Sequence, residues 1–461
     1  MNHHEVVVIG SGPAGMAAAN TLLKYGLKPA VIDEQPAPGG QIYRSIGESP
    51  IRDSNVLGKD YWYGKKLVGT FNNPDIDYYH STSVWQITKN LEIGVLKNDH
   101  AWMIKAKYVI LATGAIERPC PIVGWTLPGV MTAGSAQILL KSSGVVPSGP
   151  LVLAGSGPLL YLLAAQYIRA GVDISTILET TPKKNYIKAC RYLPKSLSNY
   201  KDIVKGVGLI NEIRKAGVSH VKNVIDIRAE GNGELEKVVW KESGGSGWKS
   251  TNAATLLLHQ GVVPNTQITR AIGCEHYWDD VQLAWRPKID NWCETSIKKL
   301  AVAGDGAGIV GARASEIQGK ISALGAVMSL NSLSGFEIKK EYDYLKAMLK
   351  RECSIRPFLD TLYRPSADWR LPSDDTTICR CEEVTAGEIK EAAKLGCKGP
   401  NQTKSFTRCG MGPCQGRVCG PMVSEILASV NGQSIDDTGY YRLRPPFKPI
   451  TLGQLAHAAE E

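Results

Sequence analysis

The apolar and polar positions along the chain fall into one pattern that occurs twice. Residues 5–34 ("EVVVIGSGPAGMAAANTLLKYGLKPAVIDE") begin with an apolar run and pass through a glycine-rich turn into an alanine- and leucine-rich stretch. They close on a second apolar run that ends in two acids. Short apolar runs bounded by glycine read as buried parallel strands, and the longer stretch as the helix that crosses between them. Residues 150–179 ("PLVLAGSGPLLYLLAAQYIRAGVDISTILE") repeat the plan. Their core, residues 151–168, has the length of a membrane span, but Gly155, Gly157 and Pro158 break it where a strand would turn into a helix. It reads as a second buried strand–turn–helix unit.

The turn residues say what the first unit can hold. Gly10 permits a tight turn, Gly12 lets the backbone approach a pyrophosphate, and Gly15 lets the helix pack close to its strand. With Pro13 and Ala14 they form a helix entry whose amides face phosphate. Asp33 ends the second strand, where a carboxylate accepts hydrogen bonds from a ribose; Glu34 is the neighbouring candidate. Three further stretches favour FAD. "PGGQIYR" (38–44) adds a second glycine loop with Gly40, Gln41 and Arg44. Thr113 and Gly114 follow a buried strand in "YVILATGAIERPCP". Gly304 and Asp305 follow another in "LAVAGDGAG", where the carboxylate can hold a ribityl hydroxyl. This ordered set resembles the two-dinucleotide-domain flavoproteins of the glutathione and thioredoxin reductase type over about residues 5–325. The resemblance implies an α/β fold with two Rossmann-like domains.

The second unit departs from that family. Leu160 stands where its third glycine belongs, and a leucine side chain there pushes the helix off its strand. Glu179 could meet a ribose, but "TTPKKN" after it lacks an arginine pair for a 2′-phosphate. The expectation is a retained fold that has lost its NAD(P) role. A disulfide reductase would also need a redox cysteine pair, and none of the 11 cysteines makes a CxxC. Cys120, Cys190, Cys274, Cys293 and Cys353 are scattered and read as small buried hydrophobes.

Toward the C-terminus four cysteines gather. Cys379 and Cys381 form CxC in "TTICRCEEVTAGEIK", and Cys409 and Cys414 form Cx4C in "FTRCGMGPCQGRVCG". Gly410 and Gly412 allow the backbone to bend and expose amides to sulfur. Thr385 and Glu388 form a capping box for one short helix, and a second is expected near Gly420. Thiolates alone suit an iron–sulfur cluster or zinc, with CxC unusual for zinc. Cys397 and Cys419 are spares, although Cys419 stands close enough to compete for the fourth position. Residues 376–430 resemble the bacterioferritin-associated ferredoxin fold, and the longer Cx4C form resembles the version fused to FAD subunits of opine oxidases. The resemblance implies a 2Fe–2S cluster on Cys379, Cys381, Cys409 and Cys414.

Bulk properties add limits. At 461 residues the chain should hold about three domains. The expected division is an FAD domain at 1–130 and 256–330, a second Rossmann-like domain at 131–255, a linker at 331–370, a small α-helical 2Fe–2S domain at 371–435 and a tail at 436–461. The +9 charge is modest; basic residues thicken over 183–215, which reads as a solvated face, with contact to nucleic acid or anionic lipid as the alternative. No nucleic-acid-binding signature is present. A strand starting at Glu5 leaves no room for a secretory signal, and the cysteine count without one argues for reduced thiols. A cytoplasmic protein is expected, not transmembrane, with peripheral association at the inner membrane face left open.

"LLLHQGVVPNTQI", "AVAGDGAGIVGARASEIQGK" and "FLDTLYRP" extend the likeness over nearly the whole chain. They resemble the α subunit of the opine oxidase, hydrogen cyanide synthase and dye-linked proline dehydrogenase group. The resemblance implies a smaller FAD-dependent partner of the D-amino-acid oxidase type that oxidises a C–N bond. It also implies an FMN at the subunit boundary and a quinone or other respiratory acceptor. Catalytic residues are not assigned in this chain. Two other classes stay open: an NAD(P)H-dependent flavin reductase, and a non-catalytic iron–sulfur carrier or sensor. Flavin bleaching by NADPH alone would mark the first, and a cluster without flavin the second.

Overall fold

The apolar runs at 6–9, 29–32 and 108–111 become neighbouring parallel strands because they are buried on both faces. The computed structural model describes residues 2–245, 247–330 and 335–460. Its first sheet runs in the order Asp77–Tyr79, Pro29–Ile32, Asn2–Ile9, His100–Leu111, Glu92–Lys97, Ser83–Ile87. Leu300–Val302 pairs in parallel with the last residues of His100–Leu111. The helix Pro13–Lys24 crosses this sheet and packs on the long helix Ala312–Leu330. The first strand begins at Asn2, three residues before the expected Glu5.

The second sheet is wholly parallel, in the order Ser219–Val221, Ile174–Glu179, Leu151–Gly155, Thr255–His259, Val130–Thr132. Thr255–His259 therefore lies inside the second domain, and the expected return to the FAD domain at 256 cuts through a strand. The apolar run "TLLLH" shows a buried strand but not its neighbours, so periodicity could not assign it to either sheet. The chain re-enters the first domain after His259, where Val262–Pro264 pairs with Ala115–Glu117. A three-stranded antiparallel sheet (Val224–Glu230, Lys237–Glu242, Lys249–Asn252) completes the second domain.

The span expected as a linker is largely helical. Its residues 331–334 lie outside the described residues, and Gly335–Glu352 forms one helix. Ile338, Tyr342 and Leu345, spaced four and three apart, are buried in the main core, and the Tyr342 ring centroid lies 4.2 Å from that of Trp292. That is an amphipathic helix, whose apolar stripe is masked in the sequence by nine charged residues.

The C-terminal unit packs a short hairpin (Thr377–Cys379, Val384–Thr385) against the helices Ala386–Lys394 and Gly420–Asn431, with Pro400–Thr407 alongside. The capping box forms as expected, with Thr385 Oγ1 accepting from the Glu388 amide and Glu388 Oε2 accepting from the Thr385 amide. The unit docks on the rest of the chain through named polar contacts, one of them from Trp125 beside the second domain's core. Trp125 Nε1 donates to Thr377 O (2.7 Å), the Trp278 amide to Asp436 Oδ1 (2.8 Å), and Gln267 Nε2 to Gln415 O (3.3 Å). Arg270 stacks between Trp285 and Tyr440, 4.6 and 4.1 Å from their ring centroids.

The tail is a strap. Tyr441 and Leu443 are buried in the cysteine unit, while Phe447 is buried in the core of the first sheet and its amide donates to Trp85 O. Among the described residues no helix is long and apolar enough to cross a membrane. Phe447→Ala should destabilise the protein by about 3 kcal/mol, because it empties a filled core site between two units. Chemical denaturation checks this; an unchanged midpoint would mean that the strap does not hold the units together.

Candidate cofactor sites

Three backbone segments meet at the first glycine turn. A Cβ on Gly15 would stand 1.8 Å from Gly10 O, and one on Gly40 would stand 2.8 Å from Gly12 Cα. No side chain fits at either place, so the two glycine loops lie backbone against backbone. The helix Pro13–Lys24 has no side-chain cap, which leaves its first amides available to an anion. Gly114 and Thr113 are joined to Asn265, whose amide donates to Gly114 O at 3.0 Å. Gly304 donates its amide to Gln318 Oε1 (2.9 Å), and Asp305 Oδ1 accepts from the amides of Val310 and Gly311. Among the described residues Asp305 Oδ2 takes no hydrogen bond.

The two acids at the end of the second strand differ. Asp33 Oδ2 accepts from the Ser11 amide (2.6 Å) and Ser11 Oγ (2.7 Å), and Oδ1 accepts from the Gln35 amide (2.7 Å). Its carboxylate is largely used in holding the turn. Glu34 is about half exposed and its partner is Lys448 of the strap, whose ammonium burial pulls below its ordinary range. Arg44 is buried and donates through Nη2 to Gln41 Oε1 (3.1 Å), while its buried Nε has no partner among the described residues. A buried orphan donor beside an uncapped helix end fits an anionic dinucleotide.

Lys141 was not legible as a site residue. It is 3% exposed, and its Nζ donates to Gln41 O, Ile42 O and Gln137 Oε1 at 3.1, 3.0 and 2.9 Å. It clamps the second glycine loop to the helix Ala133–Ser143. Burial, and then the charge of Arg44, push its pKa down to about 7.

The second turn has the same shape and different contents. Leu160 is fully buried. Glu179 is 1% exposed, hydrogen-bonded by Tyr186 Oη and 2.9 Å from His220 Nε2. Burial raises its pKa, but the hydrogen bonds from His220 and Tyr186 outweigh this and hold it below the usual carboxylate range. His259, paired with Glu117, lies against Gly157.

At the other end five thiols converge, not four. Cys379, Cys409 and Cys419 have sulfurs within 4.8 Å of one another, and all three are buried. Cys381 and Cys414 form a second pair nearer the surface. A cavity of about 370 Å³ is lined by Trp125, Cys379, Arg380, Cys381, Cys414, Val418 and Cys419. Gly412 is needed here, since a Cβ on it would sit 2.2 Å from Cys381 Cβ. Cys379 is pulled down to about 2 by hydrogen bonds from Cys409 and Cys419 and by the amides of Gly410 and Glu382. Cys409 is pushed up to about 12 by its hydrogen bond to Cys379, and hydrogen bonds to Cys379 and Cys409 likewise raise Cys419 well above the ordinary thiol value. The Tyr441 hydroxyl, buried over Gly410 and beside Cys409, has no geometrically sound partner among the described residues. A buried donor that lacks an acceptor, next to crowded thiols, fits a site for thiolate-bound metal. Cys397 is buried elsewhere in the unit. The spacing Cx4Cx4C over 409–419 was the signal that could have placed Cys419 in the group.

Residues 4–324 match the pyridine nucleotide-disulphide oxidoreductase family, and residues 374–459 the sarcosine oxidase A3 domain. An opine oxidase subunit of Rhizobium meliloti is 44% identical over 98% of this chain and 87% of its own. Hydrogen cyanide synthase subunit HcnB of Pseudomonas aeruginosa is 31% identical over 99% of each chain. The crystal structure of L-proline dehydrogenase from P. horikoshii superimposes with a TM-score of 0.71 at 21% identity, over 98% of this chain and 79% of that one, and so shares the fold. The chain belongs to the family of that opine oxidase subunit, and its first two domains to the pyridine nucleotide-disulphide oxidoreductases.

Replacing Lys141 with Met should lower stability by about 3 kcal/mol at neutral pH, because three acceptors lose their donor. Folded Lys141 gives up its proton near pH 7, whereas the unfolded side chain holds it to about 10.5. The unfolded chain therefore carries the extra proton between those values, and the wild type gains stability over Lys141→Met as pH rises through that window. Urea denaturation at pH 7 and pH 9 tests the sign; a gap that narrows at pH 9 contradicts it.

Proposed function

We propose that this member of the opine oxidase family is the FAD- and iron–sulfur-bearing subunit of a heteromeric enzyme that oxidises the C–N bond of an opine or other secondary amino acid. The observation that supports this reading is a pair of glycine loops packed at an uncapped helix end, with a converged thiol site docked on the same molecule. The relatives' names supply the rest. The opine oxidase and hydrogen cyanide synthase relatives are each one subunit of an enzyme, so a partner is expected here. On this reading the partner is a smaller amine-oxidising flavoprotein, an FMN sits at the boundary, and a quinone or similar carrier accepts the electrons.

In this reading the chain's own residues divide the task. The amides after Gly12 and the Arg44 guanidinium bind the pyrophosphate. Asp33, held by Ser11 and Gln35, and Glu34, held by Lys448, are the two carboxylates placed to take the ribose. Asp305 holds a ribityl hydroxyl through its unused oxygen, and Thr113 and Gly114 line the approach from Asn265. Cys379 and Cys409 from the buried group, with Cys381 and Cys414 from the outer pair, would hold a 2Fe–2S cluster. Cys419 is the competitor within the buried group. A flavin held there would supply two-electron chemistry, and a 2Fe–2S cluster held by the thiols one-electron chemistry. In the second domain Glu179 is filled by side chains of its own domain, which supports a lost NAD(P) role.

Alanine at Cys379, Cys381, Cys409 or Cys414 should strip iron and acid-labile sulfide from the protein, and Cys397→Ala should leave both intact. Retention in Cys414→Ala with loss in Cys419→Ala would reassign the fourth ligand, and zinc as the native metal would overturn the cluster. Tyr441→Phe should keep its iron and shift the midpoint potential negative, because a hydrogen bond to sulfur favours the more negative reduced state. An unchanged potential would show that the hydroxyl does not reach the site.

NADH and NADPH should reduce the flavin far more slowly than substrate turnover requires. Stopped-flow mixing with either nucleotide decides this; reduction at turnover rates would revive the reductase reading.

A further inference from the structure

Residues 183–208 carry seven Lys or Arg against one Asp, a net +6 of the chain's +9. By sequence alone this is a solvated face. The structure adds that its apolar side chains point outward as well. Ile187, Leu197, Tyr200, Val204 and Val207 are between 55 and 78% exposed. The last four, spaced three, four and three apart, form one stripe along the turn Leu197–Asn199 and the first turns of the helix Tyr200–Lys215. That helix buries its opposite side through Leu209 and Ile213, and Asn199 is tied down to Arg351 O and Glu352 O. The stripe is therefore the outer face of an anchored element.

We propose that this face docks onto an anionic lipid surface. Lys183, Lys184, Lys188, Lys195 and Lys201 have no carboxylate partner among the described residues and lie in sequence around the stripe. An exposed apolar stripe with unpaired lysines close to it in sequence matches a helix lying in the headgroup region, with its charge complementary to acidic lipid. A protein partner fits less well, because interface cores are depleted in lysine, and six of the seven basic residues here are lysines. This goes beyond the electron-transfer reading and does not depend on it, since lipid binding needs neither substrate nor acceptor. It would place the protein where a lipid-soluble carrier can reach it.

The test uses the full chain with its cofactors and co-sedimentation with phosphatidylcholine vesicles, alone or with about one-third phosphatidylglycerol. Binding to the anionic vesicles should be tighter by about tenfold or more. It should weaken as salt rises from about 0.1 to about 0.5 M. Leu197→Asp/Val204→Asp should abolish it while melting temperature and flavin content hold, and Val281→Asp, exposed in a different part of the chain, should not affect it. Equal or absent binding to the two vesicle types overturns the proposal, as does binding that survives the double substitution. So does a double variant that loses its protein partner yet still binds vesicles, which would make the face a protein interface.

Discussion

Contact between bare backbone fixes the flavin half of this molecule. At Gly15 the helix touches the carbonyl of Gly10, at Gly40 the second loop touches Gly12, and a Cβ on Gly319 would stand 2.1 Å from Ala14 O. Segments some 300 residues apart in sequence thus meet without any side chain between them. A methyl group at any of these places would move an element by ångströms, and packed interiors do not absorb that. The uncapped helix end, the buried Arg44 and the acids at the strand end keep their relative positions because these approaches are so close. Lys141 and the strap then fasten the same loops from outside, one from the second domain and the other from the C-terminus.

The second domain keeps the same kind of fold while its polar groups are committed elsewhere. Its strands and helix are buried as fully as those of the first. The difference lies in one acid. A carboxylate poised for a ribose must have lone pairs to spare, and Glu179 already accepts from Tyr186 and has His220 Nε2 2.9 Å away. Pulling it free would leave buried partners unmet, which costs more than a single hydrogen bond returns. Hydrophobic burial preserves the architecture, while the Glu179 carboxylate is engaged by Tyr186 and lies against His220.

Much of this was legible in the sequence because the signals are local. Glycine turns, a capping box and cysteine spacings are set by neighbours within a few residues, and these features appear where they were expected. What escaped depends on contacts between distant segments. Asp33 and Glu34 look equivalent in the sequence, but Ser11 holds the first and Lys448 of the strap the second. Cys419 lies ten residues beyond Cys409, yet its sulfur reaches the buried group because the turn before Gly420 brings it back. The helix at 335–352 was hidden by its charged outer face, and the strap by the absence of any periodicity in "YYRLRPPFKPI". The exposed stripe at 197–207 was invisible for the opposite reason: periodicity reports an apolar face, not the direction in which it points.

The thiol site follows an electrostatic argument of its own. Three buried sulfurs in mutual contact cannot all ionise beside one another, since each added negative charge penalises the next. One of them, Cys379, is favoured by two amides and two thiol donors, and its neighbours then hold their protons. Complete ionisation needs positive charge brought among the sulfurs, which is what a metal supplies. The surrounding donors are few and fixed: the amides of Gly410 and Glu382, and the hydroxyl of Tyr441. Tyr441 belongs to the strap, and the strap ends in the core of the flavin sheet at Phe447. The same short segment that brings a donor to the thiols is therefore fastened to the sheet that carries the flavin cradle. Loosening one end would disturb both sites, so the strap couples their geometry even though their sequence signatures lie at opposite ends of the chain.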